Sequence, residues 1–344
     1  MNTAALLLAD PSPTLRILVL TELLGRSFDD PEVQELFKMR LNDPIVDDLI
    51  RNQEPDGSWR PGSFQGSPPA DKLFVTSLAL MRLGYLGFGQ ADSFVQRGVD
   101  FLRKHQQSNG SWPLPQGRRE EEPGEGYALI PLQTAFPLRA LAVCGYATDP
   151  NAEQAYDWLL AQRLPDGAWP TGISAGNYGN VAGYRRLAHS RWGCRSNTTA
   201  SLICLAHHPQ RSEGTEAQRA LDLLLGRETR EQHALGIEVS RLIGAEKSRG
   251  YFTYFARFDL ALLLDLCWRI GASTDDGRVA DLVEFVGTIM GPFGLWEYPP
   301  QPLSARWVTF DIMRSLSRID SSQDWLSLEP RTPFQAYPRR RKRY

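Results

Sequence analysis

The chain has 344 residues, 42% of them hydrophobic and 23% charged, and a net charge of -2. That is the composition of a soluble globular protein, and the charge gives no reason to expect a nucleic-acid partner. The length suits two average domains or one large domain built from repeats.

In chain order, Met1 to Leu8 is apolar but too short, and too poor in basic residues, for a signal peptide. No apolar run reaches the length of a membrane span. Cys144, Cys194, Cys204 and Cys267 are scattered, and three of them sit in apolar helical patterns. They read as reduced, buried thiols of a cytoplasmic protein. The basic cluster Arg339 to Arg343 reads as a solvated tail, with a weak contact to an anionic membrane surface as the sharper alternative.

One phrase recurs every 50 residues or so: Gln53-Glu54-Pro55-Asp56-Gly57-Ser58-Trp59, then Gln106-Gln107-Ser108-Asn109-Gly110-Ser111-Trp112, then Gln162-Arg163-Leu164-Pro165-Asp166-Gly167-Ala168-Trp169. Gly291 to Trp296 is a degenerate copy. Repetition at a fixed period marks a repeat architecture. The Asp-Gly or Asn-Gly pair makes a turn, and the Trp packs on the neighbouring repeat.

A second template is helical: Thr, Leu at +4, Leu at +7. It begins at Thr76, Thr134, Thr198 and Thr309 (with Met313 in the +4 place), and at Asp259 with Asp in place of Thr. A looser copy runs from Thr14 to Leu24. These stretches are apolar nearly all round, so both faces should be buried. More amphipathic helices are expected between them, over roughly 31–53, 91–107, 151–163, 215–227 and 276–290. Buried and half-exposed helices in alternation make two concentric layers. The expectation is an all-α protein, a single (α/α)6 barrel over 10–325 with loop insertions at 113–126 and 170–193 and a C-terminal tail at 326–344. The sixth outer helix is not evident after Ile319.

The Gln…Gly-x-Trp phrase on a helical repeat resembles the QW motif of squalene–hopene and oxidosqualene cyclases, and the repeat is similar to that of protein prenyltransferase β subunits. With length for one barrel, the chain looks most like a monodomain class II terpene cyclase. The resemblance implies protonation of an alkene or epoxide and cyclisation of a linear prenyl chain. The substrate it suggests is a geranylgeranylated dihydroxybenzoate. It implies no metal, no cofactor and no obligate protein partner.

In that family the acid is the middle Asp of a DxDD motif leading into Thr-Ala. Placing Thr198 on that Thr puts Cys194-Arg195-Ser196-Asn197 there, with no carboxylate. Three positions remain for an acid. Asn109 stands where the sibling turns carry Asp56 and Asp166: it is either another good turn residue or the silenced seat of the proton donor. Asp259, among Phe255, Phe258 and Leu260, should have a raised pKa, unless it pairs with an arginine. Asp71 is either an acid or a helix N-cap.

A carbocation needs aromatic faces. Phe74, Tyr127, Phe136, Trp192, Tyr251, Tyr254, Phe258, Trp307 and Phe310 supply them near inner-helix starts and loops, or else pack the core. Trp112 and Tyr184 join the set expected to touch substrate. Arg195, with Lys72, Arg185 and Arg186, could anchor an anionic head group. Two rival readings stand beside the cyclase: a non-catalytic toroid that binds an isoprenoid or peptide, and a prenyltransferase-type subunit with zinc near Asp265 and Cys267.

Overall fold

A computed structural model describes residues 3–112, 130–174, 177–226 and 233–319. The helices in chain order are α1 (Thr3–Leu8), α2 (Pro13–Leu18), α3 (Pro31–Met39), α4 (Pro44–Arg51), α5 (Lys72–Tyr85), α6 (Ser93–Lys104), α7 (Pro131–Leu141), α8 (Pro150–Ala161), α9 (Arg195–Ala206), α10 (Thr215–Leu225), α11 (Ile237–Leu242), α12 (Leu260–Ile270), α13 (Gly277–Thr288) and α14 (Ala305–Arg318). Two π-helical turns, Val19–Leu23 and Ala142–Tyr146, extend α2 and α7.

Two layers follow from burial. In α7 and α9 every residue is buried, and in α5 and α12 nearly every one is. Helices α6, α10 and α13 bury one stripe each. The inner helices pack in sequence, α5 on α7, α7 on α9, α9 on α12 and α12 on α14, and α14 meets the Val19–Leu23 turn. This is the (α/α)6 barrel. The place of a sixth outer helix is taken from the N-terminus: α1 packs against α14 and α2, with Leu7 buried. Arg306 to Asp10 (3.3 Å) and Arg318 to Glu22 (3.0 Å) tie the last repeat to the first. The tail at 326–344 and the loop at 113–126 lie outside the described residues.

The repeated phrases are the joints between layers. In each, the Trp backbone N–H donates to the hydroxyl of the template Thr on the following inner helix: Trp59 to Thr76 (3.1 Å), Trp112 to Thr134 (3.2 Å), Trp169 to Thr198 (3.0 Å) and Trp296 to Thr309 (2.8 Å). Each indole N–H donates to a carbonyl ten residues earlier, on Leu49, Leu102, Leu159 and Val286. Gln53 and Gln106 bridge the turn to the next outer helix, through the carbonyls of Phe94 and Asn151. Gly110 has φ +88°, and a Cβ there would collide with the Gln154 carbonyl, so the turn demands glycine twice over.

The segment between α10 and α12 has no counterpart in the two-layer scheme. A short parallel pair, His233–Ala234 with Phe258–Asp259, brackets it. Between them α11 touches α5, α12 and α14, while the turn Tyr251–Thr253 packs on α7 and α9. The segment therefore enters the barrel axis and occupies part of it. The 170–193 insertion, expected as a loop, forms an antiparallel pair of Ile173–Ser174 with Asn177–Tyr178 and is pinned at its base by a Pro170–Gly193 bridge.

Replacing Thr134 with Val keeps the shape but strands the buried Trp112 N–H. The expected loss is about 1–3 kcal/mol of unfolding free energy, read from urea denaturation. An unchanged midpoint would show that the joint contributes nothing.

Candidate functional site

The axis is split into a packed half and an open half. Phe74 and Phe136 of the inner helices meet Tyr251, Tyr254 and Phe255 of the inserted segment in an edge-to-face knot, with ring centroids 4.6–6.2 Å apart. Phe74, Phe136 and Tyr254, expected to face substrate, instead contact one another, and among the described residues they do not line the cavity described next.

The open half is a cavity of about 480 Å³ at the C-terminal ends of the inner helices. Leu18, Met81, Val143, Val239, Leu242 and Leu262 give it an apolar wall. Both π-helical turns reach it, through Glu22 and through Ala142, Val143 and Gly145. Helix α11 supplies its floor. There Glu238 pairs with Arg139 of α7 at 2.5 Å and with Arg241 at 3.6 Å, all three buried.

Across the cavity α12 and α14 contribute Asp265, Arg269, Asp311, Arg314 and Arg318. Arg314 bonds Asp311 and reaches Asp265 at 3.4 Å and Glu22 at 3.6 Å. Asp265 also accepts from Arg269 Nε (2.8 Å) and the Trp268 indole N–H (3.1 Å). The two carboxyls part company in this network. The guanidiniums of Arg269 and Arg314 hold Asp265 well below the usual carboxylate range, although burial opposes them. Burial outweighs Arg314 at Asp311 and, with Asp265 adding to it, pushes Asp311 up to about 7. Tyr85, beside Asp311, carries a buried hydroxyl with no hydrogen-bond partner. His207 lines the rim and is pushed below its ordinary value by burial, which favours the neutral ring at neutral pH.

The three acids expected from sequence fall elsewhere. Asn109 is exposed, and its side-chain oxygen accepts from the backbone and hydroxyl of Ser111 (3.0 and 2.7 Å), as Asp56 does from Ser58. It is a turn residue on the surface and no donor's seat, because an amide serves that turn as well as a carboxylate. Asp71 is the N-cap of α5, accepting from Phe74 N–H (2.9 Å) and from the Tyr251 hydroxyl (3.3 Å). Asp259 is buried, and burial pushes it up to about 6. Its oxygens accept backbone N–H groups from Gly236, Glu238 and Ala261 at 2.7, 2.7 and 3.2 Å, so it caps α12 and holds the inserted segment. It takes the acceptor's part that Thr plays in the sibling repeats.

Most of the remaining expected contacts have structural partners, while Trp192 and Arg186 line a second pocket of about 630 Å³ on the 170–193 insertion. Trp112 is a joint residue. Arg195 donates to the carbonyls of Arg186 (3.2 Å) and Ala256 (3.4 Å) and lies 5.9 Å over the Phe258 ring. Trp192 stays on the 170–193 insertion beside Tyr178 and Arg191. Trp307 backs the cavity wall, 6.1 Å from the Tyr85 ring. Tyr127 and the Tyr184 side chain lie outside the described residues. Cys267 is buried in the core, and among the described residues no group of His, Cys, Asp or Glu is placed to hold a metal. No helix among them is long and apolar enough to cross a membrane.

Sequence reasoning missed Asp311, Glu238, Arg314 and Tyr85. The available signal was charge inside helices otherwise apolar all round, since buried Asp, Glu and Arg need partners and are rare without a reason.

Residues 15–184 match the family model of the squalene-hopene cyclase C-terminal domain. Over that segment, 170 of the 344 residues, the chain is similar to squalene–hopene cyclases. A copalyl diphosphate synthase from Streptomyces anulatus is 29% identical over 132 residues, 38% of this chain and 23% of that protein. A squalene–hopene cyclase from Bradyrhizobium diazoefficiens is 24% identical over 167 residues, 45% of this chain and 24% of that protein. The matches thus span about a quarter of each relative's length. The apo type II terpene cyclase MstE from Scytonema is 14% identical, over 79% of this chain and 95% of that one, with a TM-score of 0.32. A variant of MstE in complex with geranylgeranyl dihydroxybenzoate is 13% identical, over 89% and 98%, with a TM-score of 0.33. The family segment ends before Asp259 and Asp311, so neither acid is part of it.

Because the folded Asp311 carboxyl titrates at about 7 and the unfolded one near 4, the folded state holds the proton more tightly. Its contribution is complete below about pH 4 and is lost as pH rises through about 7. Asp259 adds a similar decline that ends near pH 6. Urea midpoints of Asp311→Asn should therefore lose the fall between pH 6 and 7 and show a shallower one, from Asp259, between pH 4 and 6. An identical pH profile in the variant would place the Asp311 titration elsewhere.

Proposed function

We propose that the chain is a class II, protonation-initiated terpene cyclase that folds a linear prenyl chain in the cavity between α11 and the C-terminal ends of the inner helices. The observation that carries this reading is Asp311. It is a buried carboxyl facing a cavity of ligand size, and desolvation raises it to about 7, so that a substantial fraction carries the proton near neutral pH. Alkene protonation asks for a neutral acid in a dry site whose conjugate base is stabilised after transfer. Arg314, bonded to Asp311, supplies that stabilisation. Met81, Leu242 and Leu262 exclude water from the chain, and the Tyr85 ring offers a face to a cation. The cyclase-family segment supports the reaction class. A geranylgeranylated dihydroxybenzoate is the first substrate to try.

A second reading, an isoprenoid-binding toroid without catalysis, is favoured by one observation: the inserted segment and its aromatic knot fill half of the axis. The prenyltransferase-type reading lacks a donor set among the described residues.

Purified protein incubated with geranylgeranylated dihydroxybenzoate should yield a cyclic isomer of unchanged mass. Asp311→Asn, which preserves shape but removes the proton, should lower the rate by about a hundredfold or more. Asn109→Asp should leave it unchanged. Turnover that survives Asp311→Asn would assign the acid elsewhere, and binding without turnover in the native chain would favour the non-catalytic toroid.

A further inference from the structure

The cavity has an inside and an outside. Asp311, Arg314 and Arg318 follow one another on a single face of α14 at helical spacing. The Arg314 side chain is 7% exposed and that of Arg318 is 35%. Arg318 therefore stands at the rim, about 10 Å along the axis from the acid. Beside it, on α12, the Arg269 guanidinium lies 4.3 Å and that of Arg318 4.6 Å from the Trp268 ring, so one indole carries two cations.

Charge around this end is not balanced. Arg269, Arg314 and Arg318 share the carboxyls of Asp265, Glu22 and Asp311. Deeper in, Glu238 is shared by Arg139 and Arg241, which leaves that part with no excess of negative charge. With the proton on Asp311, three guanidiniums face two carboxylates, and one anion restores neutrality. A single anion therefore matches this end better than a diphosphate, and a neutral head would leave the excess guanidinium charge unanswered.

From this geometry we infer that Arg269 and Arg318, braced on Trp268, form the head-group site for a prenyl compound bearing a single carboxylate, which enters tail first so that its far alkene meets Asp311. Guanidinium and carboxylate match as a fork and a planar acceptor pair. This rests on the cavity being the prenyl site, as proposed above, and says nothing about whether the bound chain reacts.

The test is binding by the full chain in the Asp311→Asn background, followed by calorimetry. The probes are geranylgeranyl dihydroxybenzoate, the same compound without its carboxyl group, and geranylgeranyl diphosphate. The carboxylate should bind roughly tenfold or more tighter than the decarboxylated compound. Arg318→Gln should erase that preference while sparing affinity for the decarboxylated compound, and Arg269→Gln, at a second and less exposed position, should do the same. Equal affinities, a preference for the diphosphate, a preference that survives both substitutions, or no binding of any probe overturns the inference. If the preference holds and the native chain makes no product, the cyclase reading falls while the head-group site stands.

Discussion

The barrel depends on a hydrogen bond between a tryptophan backbone N–H and a threonine hydroxyl. Four of the inner helices begin beside a turn that must leave an outer helix, reverse, and bury its last residue. A buried N–H without an acceptor costs about 1–3 kcal/mol, and at this position no backbone carbonyl is available to take it. The template Thr is two-faced enough to solve this: its methyl packs in the apolar layer while its oxygen accepts. The indole N–H is discharged ten residues back on the outer helix, so one residue locks both layers of a repeat. Repeating the joint sets the angle between successive pairs, and the ring follows.

Where the joint changes, the architecture changes with it. The fifth inner helix has Asp259 in place of Thr and receives the N–H groups of Gly236 and Glu238 instead of a tryptophan's. A carboxylate accepts more donors than a hydroxyl, so it can hold a longer and more irregular segment. That segment runs into the axis as α11 and returns through Tyr251 and Tyr254. Phe74 and Phe136 are consumed in packing against it, and the cavity of about 480 Å³ lies at the opposite ends of the inner helices.

The division between what was legible and what was not has the same cause. The two-layer barrel could be read from the chain because its period, its turns and its apolar faces are local patterns repeated along it. The cyclase resemblance rested on the same turns. The site could not be read this way. Phe74, Phe136 and Tyr254 are aromatic in sequence whether they line a cavity or fill one, and only the path of residues 233–257 decides between them. Asn109 drew notice as the odd member of a repeated turn, yet a turn constrains hydrogen-bond geometry rather than charge, and Asn satisfies it. Asp311 and Arg314 stand one helical turn apart, a spacing that also describes a solvated ion pair. Their burial comes from α11 and the first repeat, both distant in sequence.

The cavity's electrostatics show why one carboxyl among several can act as an acid. Asp265 and Asp311 both face Arg314, but Asp265 has Arg269 and an indole N–H as well, whereas Asp311 has the apolar core behind it. With Asp265 already ionised, a second negative charge nearby is costly, so the proton remains on Asp311. The arginine that does too little to ionise Asp311 at rest is in place to receive the charge once the proton has left. Desolvation raises the carboxyl's hold on the proton and Arg314 eases its loss, and neither group alone would give an acid that keeps a protonated fraction near neutral pH and is able to give the proton up.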